Sequence, residues 1–318
     1  MDTLSDLLRV VRLDGAFFYP VEAGIPWSVE AMPARELTRK ILPGSEHLIP
    51  YHFLTAGNCW VGVVGEEPVE MLPGDVVLFP HGDAHVMSSG PGVRLPNDLA
   101  QTSADRYMST QYLGPEGHRG THFVCGFLGC DLRPFNPLLA ALPRRMHMRG
   151  ISHTGFGEYA RQLAVEASSG VPGAESVLTR LAELMFISVV RRYLDDLPPG
   201  QTGWLAGLRD EVVGRVLGLI HGRPGHPWTL VDLAREGATS RTALAKRFTD
   251  LVGQPPMQYL TQWRMQVAAS RLAEGNAKVA TIAAEVGYES EAAFSRAFKK
   301  ATGVSPGAWR ESRRAPPK

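Results

Sequence analysis

The sequence predicts a multidomain α+β protein with an N-terminal β-barrel, a helical linker and dimerisation region, and a C-terminal all-α double helix-turn-helix. In the first part of the chain, short runs rich in Val, Phe and Leu are separated by Gly and Pro, a texture typical of strands. Farther on, apolar residues recur at helical spacing. Near the C-terminus one short pattern occurs twice, about fifty residues apart. With 318 residues, the chain is long enough for two or three domains, each with its own core.

The predicted domain boundaries follow changes in composition along the chain. Residues 4–12 suggest a short amphipathic helix, and residues 91–120 suggest a long loop. Helices are expected over 156–168 and 175–197, where an apolar stripe is broad enough to pack against a second subunit. The stripe consists of Leu178, Leu181, Met185, Ile187 and Val190. The domains are 1–133 for the barrel, 134–200 for the helical linker and dimerisation region, 205–312 for the double helix-turn-helix, and 313–318 for a basic tail.

The charge is divided unevenly, although the whole chain has a formal net charge of only +1. Residues 1–204 carry 16 Lys and Arg against 22 Asp and Glu, whereas residues 205–318 carry 17 against 10. A basic C-terminal part on an acidic body is typical of a protein that binds phosphates at one end. Three cysteines, no apolar run long enough for a membrane span and no secretion signal predict a cytoplasmic protein without a disulfide framework.

Each copy of the repeat reads as a short helix, a tight turn, a second helix that opens on Ser, and a Gly-x-x-Pro stop. In the first copy the predicted helices cover Leu230–Glu236 and residues 240–251, with Leu244 and Phe248 facing the core. The second copy repeats this arrangement with Ser290 as the N-cap of its second helix. Helix-turn-helix units place their second helix in the major groove of DNA, so the repeat predicts a DNA-binding domain.

The outward face of each second helix carries the candidate DNA-binding residues. The N–H groups at a helix N-terminus suit phosphates, and the first two turns reach base edges. Lys246 and Arg296 occupy equivalent positions in the two copies and are the expected donors to guanine or phosphate. The residues expected to contact the DNA backbone are Arg241, Arg264, Lys299 and Lys300. The complete predicted set is Ser240, Arg241, Thr242, Ala245, Lys246, Arg264, Ser290, Glu291, Ala292, Ser295, Arg296 and Lys299.

Two stretches carry a resemblance to a known family: LAREGATSRTALAKRFTDLVGQPPMQYLTQWRMQVAASRLAEG and IAAEVGYESEAAFSRAFKKATGVSPGAWR. With them, residues 229–312 resemble the DNA-binding domain of the AraC/XylS family of bacterial transcription regulators. The resemblance implies two recognition helices in successive major grooves, and activation or repression through RNA polymerase. Small residues stand where the family often has an aromatic or long polar residue early in the first recognition helix, so the target sequence does not carry over.

The segment GDVVLFPHGDAH, residues 74–85, follows the spacing G-x5-P-x-G-x2-H. This spacing resembles the second signature of cupin β-barrels, and the N-terminal half resembles the cupin sensor of one AraC-family branch. Some members of that branch respond to reactive chlorine through cysteine oxidation, and the resemblance makes Cys125 the candidate sensor. The first cupin signature lacks its HxH pair, and Pro50 takes the place of its Glu. The family's N-terminal partner cysteine, expected near residues 15–20, is absent.

Three interpretations of Cys125 and Cys130 remain open. The two residues are buried structural thiols, or they are a redox pair that a bend between two strands brings together, or they belong to a metal site. In the metal interpretation His52 and His85 supply nitrogens while Cys125 and Cys130 supply thiolates. Such a set of four nitrogen and sulfur ligands suits Zn²⁺, which would then be the cofactor of the sensor domain.

Together these observations predict a sequence-specific DNA-binding transcription regulator that is not an enzyme. Its cupin domain is expected to sense a small molecule, a metal or an oxidant and to control the DNA-binding domain allosterically. The expected partners are double-stranded DNA, RNA polymerase, the effector and a second copy of the chain, with no membrane. Two alternatives remain open: a metal-dependent cupin enzyme fused to a DNA-binding domain, and a pure small-molecule binding module.

Overall fold

The computed structural model describes residues 2–11, 13–95, 110–117, 119–149, 162, 165–166, 171–198 and 200–314. The chain divides into two compact units, each discontinuous in sequence. The sheet unit consists of Leu13–Cys130 and Leu142–Asp195, and the helical unit consists of Met1–Arg12, Asp131–Ala141 and Asp196–Lys318. The chain therefore passes from one unit to the other four times.

Strands dominate the sheet unit. They are β1 Leu13–Ala23, β2 Ser28–Ala31, β3 His47–Ala56, β4 Cys59–Val63, β5 Val69–Met71, β6 Val76–Leu78, β7 His85–Ser88, β8 Gln111–Leu113, β9 Thr121–Cys130 and β10 Met146–Met148. A six-stranded sheet has the order β10-β6-β3-β9-β1-β8, and a four-stranded sheet has the order β2-β7-β4-β5. The described strands thus form two sheets and not one closed barrel. Neighbouring strands are antiparallel except β1 and β8, which are parallel.

The main core of the sheet unit combines side chains from both sheets, because every second residue of a half-covered strand points to the same face. Leu54, Val61, Phe123 and Cys125 are buried in this core, and the ring of Trp27 stacks on Phe123 with centroids 5.4 Å apart. The buried centre of the molecule's first half therefore lies between the two sheets.

Helix α4, Ala174–Asp195, covers the other face of the larger sheet. Leu178 and Leu181 pack on Val124 of β9, and Met185 and Val190 are also buried. Burial within the same unit accounts for most of the apolar stripe, since an apolar sheet face must be covered by another layer. The stripe therefore no longer argues for a second subunit, and dimerisation stays a prediction.

The helical unit is built from short helices. Its first two are α1 Thr3–Val10 and α3 Pro137–Ala141, while α2, Ala34–Ile41, lies in the sheet unit. The remaining helices are α5 Trp204–Arg209, α6 Glu211–Gly222, α7 Leu230–Glu236, α8 Arg241–Val252, α9 Pro256–Glu274, α10 Val279–Glu285, α11 Glu291–Thr302 and α12 Pro306–Arg314. None of the helices in the described part of the chain is long and apolar enough to cross a bilayer.

The junction segment, Asp131–Ala141, directly follows β9 but packs in the helical unit. The N–H of Phe135 donates to Gln266 Oε1 at 3.0 Å, and the Phe135 ring packs edge-on against Tyr259 at 5.3 Å. Arg313 Nη1 donates to Asp131 Oδ1 at 3.0 Å. The compact units therefore divide the chain differently from the predicted domains, since the junction segment contacts α9 through Phe135 and α12 through Asp131.

Two local predictions were wrong. Residues 122–130 do not contain a bend between two strands, because they belong to the continuous strand β9. This strand is buried on both faces, by the second sheet and by α4, and it therefore reads as an unbroken apolar run. Residues 111–113, predicted to be part of a loop, form β8 beside β1. Most of the rest of the predicted loop, and most of the helix predicted over 156–168, lie outside the described residues.

Candidate nucleic-acid interface and sensor centre

The first helix-turn-helix consists of α7 and α8, and each of these helices begins at a capping residue. A capping box starts α7. The Ser240 side chain accepts the N–H of Ala243 at 3.2 Å and so caps α8. Leu244 and Phe248 are fully buried, which leaves the opposite face of α8 exposed. The bounds predicted for both helices are confirmed to within one residue.

The second helix-turn-helix, α10 and α11, repeats this arrangement. Ser290 caps α11, and Phe294 and Phe298 are fully buried. Both recognition helices end on a left-handed glycine, Gly253 with φ 82° and Gly303 with φ 83°. Only glycine adopts this conformation without strain, which explains the recurring Gly-x-x-Pro stop.

The predicted DNA-binding residues lie on the outer faces of α8 and α11, apart from Arg264 on α9. Ala245 and Ser295 are half-buried; the exposed ones are Ser240, Arg241, Thr242, Lys246, Ser290, Glu291, Ala292, Arg296 and Lys299. Arg264 Nε and Nη2 each donate at 2.8 Å to the carbonyl oxygens of Pro224 and His226, and burial lowers the pKa of its guanidinium. These two bonds hold the loop before α7 in place. Arg264 therefore has a structural role that is independent of any contact with DNA.

The two recognition helices differ in charge pairing. On α8, Lys246 Nζ lies 2.6 Å from Asp250 Oδ2. The equivalent positions on α11 hold Arg296 and Lys300, two cations that repel each other. The second helix therefore presents more uncompensated positive charge in its outer turns.

The Cys125 centre is a row of side chains in the core of the sheet unit. β9 lies between β1 and β3, and the strand register places Tyr19 and His52 directly beside Cys125. His85 reaches the row from the other sheet, and its ring stacks on Phe79 with centroids 3.8 Å apart. The name Cys125 centre refers below to Tyr19, His52, His85 and Cys125.

A chain of hydrogen bonds runs through the Cys125 centre, and it assigns the proton positions. His85 Nδ1 donates to the carbonyl oxygen of Asp83 at 2.9 Å, so His85 Nε2 is an acceptor. His52 Nε2 donates to it at 2.7 Å, which leaves His52 Nδ1 as an acceptor. The Cys125 thiol lies 2.6 Å from His52 Nδ1 and is the remaining donor. With both imidazoles and the thiol neutral, every donor in this chain thus has an acceptor.

The pKa shifts agree with these proton positions. Burial, with a smaller effect of His85, lowers the pKa of His52 well below its ordinary value. Burial lowers the pKa of His85 to about 4. Burial also raises the pKa of the Cys125 thiol, although the hydrogen bond from Tyr19 opposes this effect. Since a desolvated charge is costly, the neutral state persists across the physiological pH range.

The arrangement does not fit the predicted zinc site. Cys130 lies five residues from Cys125 on one straight strand, so the two side chains point to opposite faces of β9. His52 turns one nitrogen to each neighbour, which makes a chain and not a convergent set of ligands. Two nitrogens on one Zn²⁺ would be roughly 3.3 Å apart. In the described part of the chain no group of three or more His, Cys, Asp or Glu side chains is arranged for a metal ion.

The same geometry bears on the redox interpretation. Because Cys125 and Cys130 point to opposite faces of β9, a disulfide between them requires the strand to be broken.

Sequence reasoning had also missed Tyr19 and Phe79 as members of this core. Phe79 lies inside the segment GDVVLFPHGDAH, so that signal was available, whereas the position of Tyr19 depends on the register of β1 against β9.

Comparisons with known proteins extend over the whole chain. Residues 2–195 match a family described as Cupin, and residues 233–312 match a family described as Helix-turn-helix domain. An AraC-like transcription regulator of Streptomyces lividans is 31% identical over 315 residues, 98% of each chain. RclR of Escherichia coli K12, an RCS-specific HTH-type transcriptional activator, is 27% identical over 98% of each chain. The regulator AlkR of Acinetobacter baylyi is 29% identical over 98% of this chain and 99% of its own.

A cupin unit combined with a double helix-turn-helix defines a DNA-binding transcription regulator of two functional parts. The chain belongs to the AraC family of transcription regulators and has a cupin domain in its N-terminal part. The predicted class of protein is thereby confirmed. Because these relatives are regulators and not enzymes, the alternative of a metal-dependent cupin enzyme loses its support.

Proposed function

We propose that this regulator changes its affinity for DNA when an oxidant reacts with Cys125, and that β9 carries the change to the helical unit. The observation that supports this proposal is the continuity of the chain. The strand that holds Cys125 ends at Cys130, and the next residue, Asp131, begins the junction segment of the helical unit. The name of the relative RclR, an RCS-specific activator, supports reactive chlorine as the class of signal.

The proposed reaction changes the size and polarity of a side chain that has no free space. Hypochlorous acid converts a thiol into a sulfenic acid, with Cys–SH and HOCl giving Cys–SOH and HCl, as sulfur loses two electrons and chlorine gains them. Cys125 is 4% exposed and His52 Nδ1 lies only 2.6 Å from its sulfur. An added oxygen atom therefore forces the row of Tyr19, Cys125 and His52 to move, because packed cores do not deform smoothly.

The junction segment is the proposed receiver of this movement. Asp131 is paired with Arg313 of α12, and the Phe135 ring contacts Tyr259 of α9. α9 joins the two helix-turn-helix units, and its Trp263 and Tyr259 are fully buried. A displacement of β9 along its axis is expected to change the packing of α9 and α12 and so the spacing of the recognition helices.

The test uses the full chain and a DNA duplex selected from a random-sequence library. Wild type, Cys125→Ser and Cys130→Ser are titrated with DNA by fluorescence anisotropy, before and after one equivalent of hypochlorous acid. Cys130→Ser is the matched control, because it removes a buried thiol from the opposite face of the same strand. We expect the oxidant to change affinity in wild type and Cys130→Ser only. If the oxidant changes the DNA affinity of Cys125→Ser as much as that of wild type, the proposal is wrong.

Three partners and one location follow from this function. Double-stranded DNA is the target of the helix-turn-helix family, and we propose RNA polymerase as the second macromolecular partner because RclR is named an activator. A protein that binds chromosomal DNA acts in the cytoplasm of a bacterium.

A homodimer is proposed through α4, where Val177 and Leu184 are 41% and 43% exposed and lie seven residues apart on one face. Sedimentation of a monomer at tens of micromolar would contradict the dimer.

A further inference from the structure

A cleft of about 270 Å³ opens on the sheet unit next to the Cys125 centre. It is bounded by the start of α2, by the loop of residues 80–84 and by Arg144. We infer that this cleft, called the Arg144 cleft, binds a small oxyanion such as a dicarboxylate or a phosphate. The inference does not depend on the oxidation of Cys125, because the Arg144 cleft lies outside the packed core.

Two guanidinium groups supply the positive charge of the Arg144 cleft. Arg35, on the first turn of α2, is exposed and forms no ion pair with any residue that the structure describes. Arg144 is 53% exposed and also lines the cleft. Guanidinium groups bind carboxylate and phosphate with two parallel hydrogen bonds, so two of them facing one cleft suit a ligand with two or more anionic oxygens.

The start of α2 shapes one wall of the Arg144 cleft. The first turn of a helix has N–H groups without intrahelical acceptors, but here the Glu36 N–H donates to the Pro33 carbonyl oxygen and the same turn carries the Glu36 carboxylate, so the helix start adds little positive potential. The N–H of Ala34 is occupied by the carbonyl oxygen of Gly82 at 2.8 Å, which holds the helix start against the loop. A Cβ on Gly82 would come within 2.7 Å of Ala34 Cβ, so only glycine permits this close approach. The helix N-terminus and the loop therefore form one rigid wall.

Two histidines line the Arg144 cleft with their tautomers fixed. His47 Nε2 donates to the carbonyl oxygen of Pro80 at 2.7 Å, and His81 Nε2 donates to that of Leu142 at 2.8 Å. The other ring nitrogen of each is Nδ1. The lining thus combines two guanidinium groups with one carboxylate, that of Asp83, so the inference depends on Arg35 and on an exchange of contacts at Arg144.

Arg144 is held by an exchangeable pair of contacts. Its Nη1 lies 2.9 Å from Glu66 Oε1 and its Nη2 lies 2.8 Å from Asp83 Oδ1. Asp83 Oδ2 is buried and has no hydrogen-bond partner among the described residues, so the carboxylate is only half satisfied. The pair with Glu66 is exposed on both sides, and such pairs contribute little stability. An oxyanion can therefore replace Glu66 on Arg144 without a large loss of stability, while Asp83 keeps its contact.

A ligand bound in the Arg144 cleft can affect other parts of the chain in two ways. The carbonyl oxygen of Asp83 accepts Nδ1–H of His85, so a shift of residue 83 reaches the Cys125 centre. Leu142, which accepts from His81, is the first residue of the sheet unit after α3 of the helical unit. A bound anion thus acts on the chain at a crossing point between the two units.

Isothermal titration calorimetry of the full chain tests the inference, with succinate and inorganic phosphate as probes at constant ionic strength and no DNA present. We expect saturable binding of at least one probe to wild type, weakened at least tenfold in Arg35→Gln and in Arg144→Gln. The control is Arg145→Gln, which removes the same charge from the neighbouring residue, whose Nη1 donates to the Glu67 carbonyl oxygen outside the cleft. Its affinity is expected to change less than twofold.

Each result decides the question. Binding of succinate alone assigns a carboxylate ligand, and binding of phosphate alone assigns a phosphate ligand. No saturable binding of either probe at 10 mM, or equal binding by wild type and both cleft variants, would overturn the inference. Thermal unfolding midpoints of the variants are measured in parallel, and Arg35→Gln keeps the test decisive if Arg144→Gln is poorly folded, since Arg35 is exposed. Because no DNA or oxidant is used, failure here leaves the oxidant proposal untouched.

Discussion

Lys246 Nζ lies 2.6 Å from Asp250 Oδ2, one helical turn farther along α8. Both side chains are exposed, so the pair stays accessible to a DNA phosphate that competes for the lysine. At the equivalent positions α11 has Arg296 and Lys300, and neither forms an ion pair with a carboxylate in the part of the chain that the structure describes. The two helix-turn-helix units therefore offer DNA different charge patterns although their backbones repeat.

Substitutions in these two helices should have unequal effects on DNA binding. Arg296→Ala should weaken binding by roughly 1–3 kcal/mol, and Lys246→Ala should weaken it less, because the lysine must first leave Asp250. Asp250→Asn should strengthen binding and steepen the dependence on log salt concentration by about one unit. Fluorescence anisotropy between about 50 and 200 mM salt measures both quantities. If the two Ala variants lose the same affinity for DNA and Asp250→Asn has no effect, the two recognition helices do not differ in this way.

The control for these variants is Arg180→Ala. It removes one exposed positive charge from the sheet unit, where Arg180 pairs only weakly with Glu183 at 3.3 Å. A similar loss of affinity in this variant would indicate an effect of net charge and not of the recognition helices.

The helical unit could be predicted from sequence because its signals are local. Ser240 and Ser290 cap helices that begin one residue later, and their buried partners follow at helical spacing. The Cys125 centre could be predicted only in part, since His52 and Cys125 meet through strand pairing across 73 residues. No local pattern fixes such a register. The pairing of Asp131 with Arg313 is more distant still, at 182 residues, and no periodicity indicates it.

The ion pair between Asp131 and Arg313 should be needed for signal transfer. Its side chains are only 12% and 17% exposed, so Arg313→Gln leaves a mostly buried carboxylate without this charged partner. We expect Cys125 in this variant to be oxidised as fast as in wild type, while the oxidant-induced change in DNA affinity falls at least threefold. Mass spectrometry follows the oxidation, and anisotropy follows the binding.

Arg271→Gln is the matched control for that experiment. Arg271 pairs with Glu285 at 3.0 Å inside the helical unit and does not contact the junction segment. It should leave the oxidant response intact. If both variants respond like wild type, the junction segment does not transmit the signal through Asp131.

His221 should make the helical unit sensitive to acid. The Tyr259 hydroxyl accepts the indole N–H of Trp204 and donates to His221 Nε2, both at 2.7 Å, and the His221 ring stacks on Trp263. Burial lowers the pKa of His221 to about 3 from an ordinary value of 6.5. The unfolded chain takes up this proton and the folded chain does not. The free energy of unfolding therefore decreases as pH falls from 6.5 towards 3, by at most about 1.4 kcal/mol per pH unit.

His221→Phe tests this dependence because it removes the titrating group and keeps an aromatic ring. The variant should be less stable than wild type at pH 7.5, since Tyr259 loses its acceptor, and the difference should shrink as pH falls to 5. Thermal unfolding of the full chain gives the midpoints. His226→Gln is the control, because it removes an exposed histidine of the same unit and leaves the contact between His221 and Tyr259 in place. Parallel curves for wild type and His221→Phe would exclude His221 as the cause.

Gly287, in the turn between α10 and α11, should be sensitive to substitution. Its φ is +81°, and a Cβ there would lie 2.7 Å from the Gly225 carbonyl oxygen and 2.8 Å from Arg264 Nη2. Gly287→Ala should lower the free energy of unfolding by roughly 2–5 kcal/mol, from backbone strain together with overpacking. It should also weaken DNA binding, because a displaced Arg264 releases the loop before α7. Gly307→Ala, in an exposed helical position where a Cβ meets nothing within 4 Å, should be neutral or stabilising by up to about 1 kcal/mol in urea unfolding of the full chain. If the two variants are equally stable, the turn at Gly287 accommodates a methyl group. The position of Arg264 then does not require a glycine at residue 287.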